Sequence, residues 1–266
     1  MTAGRSTTAV QQDDRAEDDD RLAARLASQA GVLLLGLRNQ MIDASPDELM
    51  RTGDGRSHEL LVAELTVARP QDAVLSEEDT KDPRRQNAER VWIVDPVDGT
   101  REFAEPGRDD WAVHVALWER GVLVAGAVAL PAQGVTLATR HPPVLPPPPA
   151  GQTHVLVSRT RPPRWSGALA EALDARVSPM GSAGAKAMAV VQGKAHAYVH
   201  AGGQYEWDSA APVAVAAAAG LHTSRVDGSA LIYNRADPLL PDLVVCRLEL
   251  RDRLLDVLKP LLAQAG

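Results

Sequence analysis

An apolar run from Val91 to Val94 ends in two carboxylates that bracket a proline and a valine, Asp95-Pro96-Val97-Asp98, followed by Gly99 and Thr100. No other stretch restricts the fold and chemistry of this chain as tightly. The run reads as a strand that delivers Asp95 at its end. Pro96 stiffens the exit and removes a backbone donor. A turn then brings Asp98 close behind, Gly99 permits a tight backbone, and Thr100 can open a helix. Two carboxylates three residues apart on a turn can share hard cations such as magnesium, which take oxygen ligands. The backbone N–H groups near Gly99 and Thr100, at a helix start, suit a phosphate. The simpler alternative makes Asp98-Gly99 an ordinary turn and Asp95 a helix cap, and leaves the pairing of acids at a strand end unexplained.

The flanking sequence alternates helices and strands. Asp18 to Asp20 can cap a helix and complement its dipole, and Leu22, Leu26, Leu33 and Leu37 follow at helical spacing. A second helix is expected from about Ser57 to Ala68, with Leu60, Leu61 and Leu65 inward and Pro70 marking its end. Short strands are expected at 73–75, running into Ser76-Glu77-Glu78, and at 91–94. The segments 111–118, 122–130 and 135–139 read as an antiparallel meander, with Glu119-Arg120-Gly121 as a turn. The segment His141 to Gly151 contains six prolines and cannot lie inside a sheet. It reads as a stiff connector, with a ligand for a proline-binding module as the alternative. Beyond it come expected strands at 155–158, 195–200 and 243–247, and helices at 181–192, 208–219 and 250–262.

Strands and helices mixed in both parts predict a layered α/β fold. The organisation expected is a disordered tail over residues 1–17, one α+β half over 18–140, the connector over 141–151 and a second α/β half over 152–266. A length of 266 residues with 45% apolar content suffices for a sizeable core. The net charge of -7 disfavours nucleic-acid binding through a basic surface. Cys246 is the single cysteine, which excludes an internal disulfide and favours a cytoplasmic setting. No apolar run approaches the roughly 18 residues of a membrane span.

Other acids have ordinary readings when taken singly. Glu77-Glu78 can be a solvated pair, Asp54 in Thr52-Gly53-Asp54-Gly55 a loop acid, and Asp208 in Glu206-Trp207-Asp208 an N-cap for the Ala-rich helix that follows. His114 reads as a packing histidine before a catalytic base. His196 and His200 fall on one face of an expected strand without a third ligand for zinc. Trp111 fits either a base-stacking platform or a core position. Arg101 and Arg108 fit either a second phosphate or pairing with Glu105 and Asp109. Gly181 to Lys186 lacks the spacing of a triphosphate-binding loop.

Taken together, the Glu-Glu loop, Asp95-Pro96-Val97-Asp98-Gly99-Thr100 and the later Trp207-Asp208 before a helix resemble the inositol monophosphatase superfamily of lithium-sensitive, magnesium-dependent phosphatases. Leu75 to Glu78, Arg101-Glu102-Phe103, the segment 107–114, Gly181 to Met188 and Tyr205 to Ala211 are similar to its CysQ-type, nucleotide-directed branch in actinobacterial form. The resemblance implies a layered αβαβα sandwich and two or three Mg²⁺ per site. It implies Glu77, Asp95 and the Val97 carbonyl as ligands of a first metal, and Asp95, Asp98 and Asp208 of a second. Asp54 with Thr100 would activate water, while Gly99, Thr100, Arg101, Gly181, Ser182 and Lys186 would contact substrate. That substrate would be a nucleotide bisphosphate losing its 3′-phosphate, with inositol 1-phosphate or fructose 1,6-bisphosphate as the alternative, in a monomer or homodimer. Met50-Arg51 departs from the superfamily, which often carries a lysine there. The proline-rich stretch is likewise no hallmark of it.

Overall fold

In the computed structural model, residues 17–79 and 82–263 are described. Residues 1–16 of the tail expected over 1–17 lie outside them; Glu17, its last residue, forms an ion pair of 3.0 Å with Arg25. Two helices open the fold, α1 (Asp19–Gln40) and α2 (Pro46–Ala68). A five-stranded sheet follows in spatial order β1 (Ala73–Ser76), β2 (Arg90–Asp98), β3 (Ala112–Glu119), β4 (Val122–Leu130), β5 (Val135–Ala138), with the short helix α3 (Thr100–Ala104) after β2. β1 runs parallel to β2, and the remaining pairs are antiparallel. A second sheet has the order β7 (Ala175–Met180), β6 (Thr153–Ser158), β8 (Ala197–Tyr205), β10 (Leu239–Cys246), β9 (His222–Ser224). Helices α4 (Ser166–Leu173), α5 (Ala183–Val191), α6 (Glu206–Ala218) and α7 (Arg251–Ala263) complete the chain.

Side-chain alternation along the strands builds the layers. Trp92 and Val94 of β2 face α1 and α2, packing with Leu22, Leu26, Leu34, Leu61 and Leu65. Val91 and Ile93 face the other way, onto Met188 and Val190 of α5 and Ala211 and Val215 of α6. β10 repeats the pattern: Leu243 and Val245 join that central cluster, while Val244 and Cys246 pack on Leu169, Leu173, Leu254 and Leu258 of α4 and α7. The result is helix, sheet, helix, sheet, helix. Strands covered on both faces must be apolar throughout, as Val91 to Val94 are. Every residue of α5 is buried, as expected of a helix lodged between two sheets. Small residues let the central layer approach closely: a Cβ on Gly126 of β4 would lie 2.7 Å from that of Ala214 in α6.

Several elements differ from their sequence reading. α2 begins at Pro46 rather than near Ser57, capped by Ser45, which accepts from Glu48 N, with Pro46 in the first turn. Asp54 is therefore mid-helix and not a loop acid. Gly53 beside it is required because a Cβ there would lie 2.6 Å from the Phe103 ring. Leu33, Leu37 and Leu60 are only half-buried, and Leu34 and Leu61 take the inward positions. Trp111 is a core residue, fully buried edge-on against Phe103, and cannot stack on a base. His196 lies before β8, its Nδ1 accepting from His154 N at 3.0 Å, so it shares no strand face with His200. α4 and β7 were not anticipated. Among the described residues no helix is long and apolar enough to cross a membrane.

Candidate active site

The sheets' strand ends and the N-termini of α5 and α6 meet around one cavity of about 560 Å³. Asp98 and Asp208 line it, and carboxylate oxygens of these two and of Asp95 lie within 4.8 Å of one another. Asp95 is held by β2, paired in register with His114 of β3, and its Oδ1 accepts from Val97 N at 3.1 Å. The ladder is interrupted between Asp95 and Asp98, where Pro96 cannot donate. Asp98 turns instead toward α5, accepting from Ala183 N at 3.1 Å, from Gly184 N at 2.6 Å and from the Ser182 hydroxyl. Asp208 is the third residue of α6, not its N-cap, and its Oδ2 accepts from Tyr205 N at 2.6 Å.

Glu77 lines the same cavity at its exposed rim. Half-buried Asp54 faces Thr100 and the charge of Glu78, and its Oδ1 is buried without a hydrogen-bond partner. The Thr100 hydroxyl donates to the Val97 carbonyl at 3.0 Å, the oxygen expected to bind a metal. Gly99 takes φ +84°, and a Cβ there would sit 3.0 Å from that of Ser182. Arg101, Gly181, Ser182 and Lys186 line the wall, so all predicted site residues except Asp54, Asp95 and Val97 border the cavity itself; Asp95 clusters with the lining Asp98 and Asp208, and Val97 and Asp54 interact with the lining Thr100. Lys186 is buried, its ammonium donating to the carbonyls of Met180, Gly181 and Ser182 and lying 5.0 Å above the Tyr198 ring. Arg108 pairs with Asp110, with Glu105 at 3.8 Å, and not with Asp109; it does not line the cavity.

His114 is a core residue, as its sequence reading expected, and sequence reasoning missed Arg159 and Arg161. The His114 ring is fully buried, with Nδ1 3.0 Å from the Trp207 carbonyl and Nε2 3.2 Å from Asp98 Oδ2. That second approach is close enough for charge attraction but is not aligned as a hydrogen bond. Its pairing with Asp95 across β2 and β3 was available once those strands were recognised. Arg159 binds Glu102 and Glu105 at the cavity wall. Arg161 lines the cavity exposed, with no ion pair among the described residues.

The electrostatics fit a cation. Burial, then the charge of Glu78, push the Asp54 carboxyl up to about 7. Burial and Asp98 raise Asp208 to about 6. Partial desolvation and then Asp208, Asp54 and Asp98 raise Glu77 to about 8, and burial followed by Glu77 raises Asp95 well above the carboxylate range. Burial would raise Asp98 too, but His114, Lys186 and Ser182 bring it to about 2. Crowded carboxyls resist ionising together, and a cation among them would offset that repulsion. An oxygen-only donor set with an unpartnered buried carboxylate oxygen at Asp54 suits a hard divalent ion.

A pH dependence follows. Asp54, Asp208 and Glu77 bind protons more tightly in the folded chain than unfolded, so their contribution to stability is present below about pH 4 and is lost as pH rises through about 6 to 8. Cation binding, which needs the deprotonated acids, strengthens over the same window. The rise in Tm produced by Mg²⁺ or Mn²⁺ is expected to be larger at pH 8 than at pH 5.5 in calorimetric scans. A pH-independent rise would exclude Glu77 and Asp208 as ligands.

The chain matches the inositol monophosphatase family over residues 17–259 and belongs to it. It is 49% identical over 234 residues to a 3′-phosphoadenosine 5′-phosphate phosphatase of Mycobacterium bovis, covering 85% of this chain and 88% of that one. It is 30% identical over 210 residues to the 3′(2′),5′-bisphosphate nucleotidase CysQ of Escherichia coli, covering 74% and 83%. In fold it is similar to the crystal structure of inositol monophosphatase II from Staphylococcus aureus, with a TM-score of 0.75 at 21% identity over 90% of this chain and 95% of that one.

Proposed function

We propose that this chain is a magnesium-dependent phosphomonoesterase that removes the 3′-phosphate of 3′-phosphoadenosine 5′-phosphate, working in the cytoplasm. The observation that carries this is the gathering of Asp95, Asp98 and Asp208 beside a cavity walled by Arg101, Arg161 and Lys186, in a chain nearly half identical to phosphatases of that name. Acids alone would repel a bisphosphate; acids holding divalent ions, flanked by cations, would accept one.

Glu77, Asp95 and the Val97 carbonyl would hold one Mg²⁺, and Asp95, Asp98 and Asp208 another, within the two or three the family resemblance implies. Bound there, magnesium supplies the positive charge that an anionic phosphate and its attacking water require. The chain's own part is orientation and proton handling. Asp54, raised to about 7, is poised to accept a proton near neutral pH. Thr100 stands between Asp54 and the Val97 carbonyl and fixes the direction of that transfer. The N-terminal N–H groups of α5, through Asp98, hold the acid cluster rigid. Gly99, Thr100, Gly181, Ser182 and the cations Arg101 and Lys186 would line the leaving nucleotide. The connector at 141–151 divides the chain into two halves, with the cavity between them.

The test is phosphate release from 3′-phosphoadenosine 5′-phosphate, its phosphosulfate analogue, inositol 1-phosphate and fructose 1,6-bisphosphate, each with Mg²⁺ and with or without Li⁺. The nucleotide is expected to lead in kcat/KM by at least tenfold, with lithium inhibiting. Preference for either sugar phosphate would refute the substrate assignment, and activity in the presence of a chelator would refute the metal.

A further inference from the structure

Arg85 is a buried cation that no part of the cavity uses. It lies in the 3-10 turn Pro83–Gln86, between the segment carrying Glu77 and Glu78 and strand β2, and is 5% exposed. Its guanidinium reaches across to the turn at 234–236: Nη1 donates to Asn234 Oδ1 at 3.3 Å and to the Arg235 carbonyl at 2.7 Å, and Nη2 to the Ala236 carbonyl at 2.9 Å. Asn234 Nδ2 donates back to the Arg85 carbonyl at 3.0 Å. From the other side, Asn234 N and Arg235 N donate to the Glu206 carboxylate at 2.6 and 2.8 Å. Glu206 is 1% exposed and opens α6, two residues before Asp208. Two buried opposite charges therefore clasp one turn from both sides, and neither they nor Asn234 line the cavity.

The position of this clasp matters because the acids are mounted on separate pieces. Glu77 follows β1, whereas Asp208 rides on α6, and both line the cavity. A bonded crossing from the segment after Glu77 to the first residue of α6 fixes the spacing of those two pieces. Charge-assisted bonds from a planar guanidinium to fixed carbonyls hold direction as well as distance. We propose that Arg85 is a positioning residue: with Asn234 and Glu206 it ties the Glu77 side of the cavity to the α6 N-terminus that carries Asp208, and thereby sets affinity for divalent cations rather than contact with substrate. This rests on the metal-dependent reading above.

The test uses the full chain with Arg85→Met, Arg85→Lys and Asn234→Gly. Asn234 has φ +59°, so glycine keeps the backbone while deleting only the side-chain amide. Mn²⁺ binding is measured by titration calorimetry without substrate, and kcat and KM at saturating Mn²⁺. Arg85→Met is expected to weaken Mn²⁺ binding about tenfold, the scale of losing a group that orients metal ligands. Asn234→Gly should act in the same direction and less, Arg85→Lys should recover part of the loss, and KM should stay within about twofold. If Arg85→Met fails to fold, Asn234→Gly decides. Unchanged Mn²⁺ affinity in folded variants, with only Tm lowered, would make the clasp purely structural and overturn the proposal. A wild-type chain that binds no Mn²⁺ would instead overturn the metal-dependent reading, and the proposal with it.

Discussion

Asp95→Asn is expected to lower phosphate release at saturating Mg²⁺ by at least about a hundredfold, the scale of removing one strong electrostatic contribution from a preorganised site. The side chain is 1% exposed and faces both Glu77 and Asp98. Asparagine keeps its volume, and its carbonyl oxygen can still accept from Val97 N, as Asp95 Oδ1 does at 3.1 Å. That bond turns the amide NH₂ toward the place of the cation, so the change removes a charge and presents a donor where an acceptor is needed. The fold should not suffer. Repulsion among Asp95, Glu77, Asp98 and Asp208 is relieved, so the metal-free Tm is expected to stay level or rise while activity is lost. Near-normal kcat with metal saturating would remove Asp95 from the proposed metal set.

This site was legible where local chemistry and local structure coincide. Asp95 and Asp98 were readable because an apolar strand, a proline and a glycine mark their geometry within a few residues, although β2 does not end at Asp95 as expected but runs on to Asp98 with its ladder interrupted between them, where Pro96 cannot donate. A layered α/β fold was readable from strands and helices mixed in both parts, whereas the five-layer order came from the family resemblance alone; the burial of Val91 to Val94 and of the Ala-rich α6 on both faces is seen only in the folded chain. Asp54 was misread because Gly53 and Gly55 look like loop residues. The role of Gly53 depends on Phe103, some 50 positions away, packing against a helix that has no Cβ at that point, while a Cβ on Gly55 would meet nothing within 4 Å. α4 and β7 were missed because Ser166 to Leu173 spans barely two turns and Pro179 stands in the strand beside it. β7 is an edge strand, where a proline costs no ladder bond on its outer side. The clasp of Arg85 and Glu206 has no local signature. Its partners are backbone groups of a turn roughly 150 and 30 residues away, and only the folded chain brings them together.

Gly184→Ala carries the second large effect. The added Cβ would lie 2.1 Å from His114 Nε2 and 3.0 Å from Cε1. The ring cannot yield, because it is fully buried and its Nδ1 is engaged 3.0 Å from the Trp207 carbonyl. The N-terminus of α5 must move instead, and with it the Ser182, Ala183 and Gly184 donors that hold Asp98. Overpacking of this kind costs about 1–3 kcal/mol, read as a fall of several degrees in Tm. A ligand carboxylate displaced by roughly 1 Å costs about a hundredfold in rate, so kcat should fall much further than stability alone explains. Gly36→Ala supplies the contrast. A Cβ there meets nothing within 4 Å on helix α1, and alanine should leave kcat unchanged while raising stability by about 0.4–1 kcal/mol. Because α5 grips Asp98 through backbone N–H groups that no side-chain replacement can delete, moving the helix by one methyl group is the direct way to ask whether that grip sets the rate. A Gly184→Ala enzyme with wild-type kcat and Tm would mean that it does not.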